Sequence, residues 1–203
     1  MRHLFAATSL GLMLASSPSW GQAGNPAAMA PVTPQSPQGM PAPNQPNEND
    51  QLFVREATIG GMAEVGLGHL AEQRGQSGAV KDFGRRMVQH HGTANDQLAR
   101  LAHAANIPMP QGLDAEHKMM QEQLEKLSGA AFDVAYIRGQ IQEHQKAAQL
   151  FAWELGSGQD HDLQRFAGDT LPIILDHLQI ARQLYVQLTN QGPGLASATP
   201  RTP

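Results

Sequence analysis

Apolar residues return at spacings of three and four through most of the chain from residue 50 to residue 190, and they divide into four long stripes. In the first, Phe53, Ala57, Gly60, Glu64, Leu67 and Ala71 share one helical face, opened by Asp50 as N-cap and closed where Gly75 follows Arg74. The second starts behind Ser77 and runs through Val80, Gly84, Met87, His91, Ala94, Leu98, Leu101 and Ala105 until "NIPMPQG" breaks it. A shorter helix is expected from Asp114 to about Leu127, on Met120, Leu124 and Leu127. After Gly129 the third stripe carries Ile137, Ile141, His144, Ala148, Phe151 and Leu155 up to "GSG" at 156–158. The fourth begins near Asp160 with Leu163, Ala167, Thr170, Ile174, His177, Ala181, Leu184 and Leu188. Pro172 lies inside it and predicts a kink or a fresh start capped by Thr170, with Gly168 easing the ring clash. Short connections and the lack of useful strand alternation predict an all-α fold, an antiparallel four-helix bundle with one extra short helix.

The ends of the chain read differently. Met1, Arg2 and His3 precede the apolar run "LFAATSLGLMLA", and small residues follow, which predicts a signal peptide over 1–23 cut after Ala23 and export to the periplasm. Residues 24–49 hold seven of the 14 prolines and almost no large apolar side chain, the composition of a disordered linker; 191–203 reads as a disordered tail. The helical domain is therefore expected at 50–190. With no cysteine there is neither disulfide, thiol catalysis nor the thiol of a lipid anchor, and no run is long enough to span a membrane. Lys and Arg total 14 against 18 for Asp and Glu, a net charge of -4 that gives no reason to expect nucleic acid.

Histidine changes this picture. His91, His144 and His177 each fall near the middle of a different apolar stripe, and Glu64 falls near the middle of the remaining one. In an antiparallel bundle of similar helix lengths middles meet, so one layer of the core can hold all four. Imidazoles and a carboxylate suit a divalent transition metal such as iron, zinc or manganese. His90, Asn95, Glu143 and Asp176 are candidate supporting partners around the four. The same four residues could instead close a metal-free hydrogen-bond network that fixes register. The Glu-x-x-His pairs of di-iron bundles are missing from the sequence. His69 with Glu72, His103 and His161 read as surface residues, Glu116 and His117 as ordinary polar residues of the short helix's first turn, and Met62, Met87 and Met119 as core filling.

Three blocks, "GGMAEVGLGHLAEQRGQSGAVKDFGRRMVQHHGTANDQLARLA", "LDAEHKMMQEQLEKLSGAAFDVAYIRGQIQEHQKAAQLF" and "DLQRFAGDTLPIILDHLQIARQL", together resemble the bacterial domain-of-unknown-function family 4142, often labelled predicted outer membrane protein. The resemblance spans about residues 50–190. It implies a ferritin-like fold and a place in the cell envelope, and it maps the family's histidines onto His91, His144 and His177 and its acidic position onto Glu64. At position 90 His stands where the family pattern has Asp. The leading expectation is a non-enzymatic exported binding or stress-associated protein acting with an unknown envelope partner. The alternative is a metal-binding ferritin-like protein with storage, sequestration or weak redox chemistry.

Overall fold

The computed structural model describes residues 45–190, so the readings of a signal peptide, of most of the linker and of the tail lie outside the described residues. Within them are five helices and no strand: α1 (Glu48–Arg74), α2 (Gly78–Ala104), α3 (Ala115–Glu125), α4 (Gly129–Ser157) and α5 (His161–Asn190). The fold is a ferritin-like four-helix bundle of α1, α2, α4 and α5. α1 packs on α2 and α4 on α5 as two hairpins, the hairpins meet through α1 with α4 and α2 with α5, and α3 lies against α1 and α4.

Helix ends fix this arrangement. The N-cap of α1 is Asn47, three residues before the expected Asp50, because Asn47 and Asp50 form a capping box: the Asn47 side chain accepts from the amides of Asn49 and Asp50, and the Asn47 amide donates to Asp50 at 2.6 Å. Asp50 also reaches the opposite hairpin, accepting from the amides of Gln159 and Asp160 at 3.0–3.1 Å in the turn before α5. Ser77 sits at the N-cap of α2 without making a side-chain cap bond. Asp133 of α4 instead holds the turn that leads into α2, accepting from the amides of Gln76 and Ser77 at 2.9 and 2.7 Å. Each hairpin's turn is thus held by an aspartate from the other hairpin, which also makes α1 antiparallel to α4. Pro172 leaves α5 a single helix from His161 to Asn190, without the fresh start expected at Thr170.

The crossed aspartates expose an internal repeat. Asp50 and Asp133, Phe53 and Tyr136, Val54 and Ile137, Gly75 and Gly158, Gln76 and Gln159, Val80 and Leu163, and Phe83 and Phe166 are seven pairs each 83 positions apart. All seven pairs place like residues at like points of the two hairpins, so the bundle is two copies of one helical hairpin related by an approximate twofold axis. Its core falls into two halves. Phe53, Leu98, Phe151, Leu163, Phe166 and Ile174 form one; Leu67, Phe83, Met87, Phe132, Tyr136 and Ile137 belong to the other. Along every long helix the candidate polar residue lies between its contributions to the two halves. Close helix approach supports this region, since a Cβ on Gly68 would come within 2.8 Å of the Gly84 carbonyl oxygen, and the reverse holds for Gly84.

Candidate metal centre

The polar layer between the core halves is built around three imidazoles. One ring nitrogen from each of His91, His144 and His177 lies within 4.8 Å of the other two, and this is the group that could hold a metal ion among the described residues. His144 and His177 are 1% exposed, a degree of burial uncommon for histidine. The helices position them by register: His91 stands one turn beyond Met87 in α2, and His177 one turn before Ala181 in α5, each continuing an apolar stripe.

Hydrogen bonds define which nitrogens are free. His144 Nδ1 is 2.9 Å from the Gln140 carbonyl oxygen, so Nδ1 carries the proton and Nε2 presents a lone pair. That Nε2 faces His177 Nδ1 at 3.3 Å, and His177 Nε2 faces His90 Nδ1 at 2.9 Å. His91 Nε2 is buried with no hydrogen-bond partner. An unpartnered buried polar atom costs roughly 1–3 kcal/mol. The separation of 3.3 Å matches the edge of a tetrahedron of nitrogens set about 2.0–2.1 Å from a zinc-sized ion. Burial, with His144 and His90 adding repulsion, pushes His91 down to about 3; burial, then His144 and His91, pushes His177 down to about 2. Both rings therefore stay neutral, the state in which imidazole is a ligand.

The fourth candidate stands further out. Glu64 is buried, accepts from the Gln140 amide at 2.7 Å, and lies 3.6 Å from His144 Nδ1 on the side of the ring away from His177. Burial raises its pKa, against the pull of His144 and the Gln140 amide. Glu64 stands beside His144 at the edge that Gln140 holds and does not complete the cluster of three. His90 lies against His177. Asn95 packs over Gly61, where any Cβ would collide with its side chain. Asp176 turns outward to Arg86 at 3.4 Å. Glu143 serves a different histidine.

That histidine, His117, is the residue spacing does not reveal. Expected to be an ordinary polar residue of the first turn, it has a side chain only 11% exposed, with Nδ1 2.7 Å from Asp114 and Nε2 3.3 Å from Glu143. The bond to Glu143, followed by that to Asp114, pushes it up to about 9 despite partial burial, so it is a cation. Lys146 joins the group, donating to Glu143 at 3.0 Å and to Glu116. Asp114 three residues before His117, at the N-cap of α3, was the available signal; Glu143 comes from α4 and could be paired only in three dimensions.

A cavity of about 250 Å³ adjoins the cluster. His91, His144 and Glu64 stand on its wall, Leu98, Phe151 and Phe166 line its apolar part, and His117, Glu143 and Lys146 stand where the exposed Lys146 reaches solvent.

The family model for a domain of unknown function, DUF4142, matches residues 35–184, and the chain belongs to that family. A crystal structure of a DUF305 fragment from Deinococcus radiodurans is similar, with a TM-score of 0.63 at 14% sequence identity, covering 70% of this chain and 99% of that one. The likeness is one of fold. No curated protein matches the chain. Among the described residues no helix is long and apolar enough to cross a membrane.

Proposed function

We propose that this DUF4142 bundle binds one divalent transition-metal ion through His91, His144 and His177. The observation that carries the reading is the unpartnered, buried Nε2 of His91 beside His144, whose Nε2 presents a lone pair, and His177, which burial holds neutral. A hydrogen-bond network alone accounts for His90, His144 and His177 but leaves that atom without a partner. An all-nitrogen donor set favours zinc, copper or iron over manganese, which prefers oxygen ligands. When bound, the ion would supply Lewis acidity in a buried setting. The residues supply the rest: Gln140 fixes the His144 tautomer, and His90 can accept the Nε2 proton of His177 when Nδ1 is the ligand atom.

Residues 1–23 fit a cleaved leader, so export to the periplasm, with an envelope partner for the linker at 24–49, belongs to this proposal. Sequestration of metal there, rather than turnover of a substrate, needs nothing beyond these residues. The test is metal content after purification without chelator or histidine tag, followed by zinc titration of the wild type and of the His91→Ala and His144→Ala variants. One equivalent bound by the wild type and lost from both variants is expected; stoichiometric binding retained by both would overturn the assignment.

A further inference from the structure

The cavity and the histidine cluster are counterparts under the internal repeat. Shifted by 83 positions, His144 corresponds to Gly61, His177 to Ala94 and His91 to Ile174. All three of these counterparts line the cavity. Where one half of the bundle places imidazoles, the related half places a glycine, an alanine and an apolar side chain, and the volume left over is the cavity.

Its position relative to the cluster is one-sided. His91 and His144 are on the cavity wall and His177 is not, so His177 lies behind them. On the far side Phe83 packs against His144 and His177 with ring centroids 6.4 Å from each. Phe166, the counterpart of Phe83, lines the cavity instead. A tetrahedral ion held by three histidines has a fourth position to fill, as open metal sites do. Protein closes the Phe83 side, and space lies on the other.

Charge and size describe the occupant. Three neutral imidazoles bring no charge to a divalent ion, so an anionic donor is favoured at its open position. About 250 Å³ lies below the roughly 300–1,000 Å³ of pockets that take drug-sized ligands. Leu98, Phe151, Phe166 and Ile174 offer that ligand an apolar end. We infer, resting on the metal-binding reading, that the ion keeps a coordination position open to this cavity and takes there a small amphipathic monoanion. Its donor head sits on the metal and its short hydrocarbon tail lies between Phe151, Phe166 and Ile174. Short-chain carboxylates are the simplest members of that class.

The experiment uses the full chain loaded with cobalt(II), whose visible d–d bands report coordination, titrated with formate, acetate, propionate and butyrate. Saturable band shifts are expected, with affinity rising roughly fourfold per added methylene as apolar surface is buried. Ala147→Phe, which adds a ring at a half-buried position of the cavity wall, should bind cobalt and lose the chain-length dependence. Cobalt bands that respond to no carboxylate would overturn the inference while leaving the metal site standing. So would a response equal for formate and butyrate, or a chain-length dependence unchanged in Ala147→Phe. Absence of bands in the wild type would remove the metal-binding reading itself and this inference with it.

Discussion

His177 and His117 sit in the same bundle and carry opposite charge states. His177 is enclosed by apolar side chains and other imidazoles, with no carboxylate touching it, and is held neutral down to about 2. His117 is clamped between Asp114 and Glu143 and keeps its proton up to about 9. Burial alone disfavours charge in both; paired carboxylates reverse the outcome in one. The core cluster therefore has lone pairs to offer a cation. The flanking cluster has spent its own on ion pairs that tie α3 to α4.

Removing His144 breaks the contrast most severely. His144→Ala should abolish stoichiometric metal binding and destabilise the metal-free protein by about 2–4 kcal/mol, through a cavity and through the lost partner of His177. Metal analysis and urea denaturation check both parts. Acid is the next largest perturbation. As pH falls below about 6.5 the unfolded chain takes up protons at His91 and His177 that the folded chain refuses until about 3 and about 2. Stability of the metal-free protein should fall with pH across that window, on the order of 1 kcal/mol per pH unit for each histidine. A flat denaturation profile from pH 6.5 to 4 would mean that the rings are not neutral in the folded state.

His91→Leu sharpens the comparison by separating stability from binding. The change deletes the unpartnered nitrogen, so the metal-free protein should gain about 1 kcal/mol while losing its metal. Calorimetry with and without zinc distinguishes this from a purely structural histidine, whose loss would destabilise both. The smallest effect belongs to His117. Its raised value stabilises the fold fully below about 6.5, and that contribution is lost as pH rises through about 9. His117→Gln should cost a few tenths to about 1 kcal/mol at pH 6 and remove the alkaline loss while leaving the acid limb in place.

Much of this was legible in the chain. Periodicity located four long helices and one short one, and it put His91, His144 and His177 on buried stripes because a helical face repeats whatever residue occupies it. It could not say which way an imidazole turns, so Glu64 was expected among the ligands although its carboxylate meets the opposite edge of His144. The Asn47 cap was readable as a capping box once Asp50 was seen as its third helical residue. Asp133 as the partner of the turn before α2 was not, since nothing local links residue 133 to residue 77. The repeat was readable in principle, but its two halves differ at the positions that carry the chemistry. Met87 corresponds to Thr170, and His91 to Ile174, so a search for shared polar residues passes over it.

The crossed aspartates bear on how such a chain folds. The turn between α1 and α2 is completed by Asp133, and the turn between α4 and α5 by Asp50. Neither half of the sequence contains all the partners its own reversal needs. A separated hairpin would lose the aspartate that reaches its bend and keep an uncovered apolar face, so folding couples the halves into one cooperative event rather than two sequential ones. The same reciprocity gives two chains a route to exchange halves: each lends its aspartate to the other's bend, and the bundle closes between molecules with the bonds it forms within one.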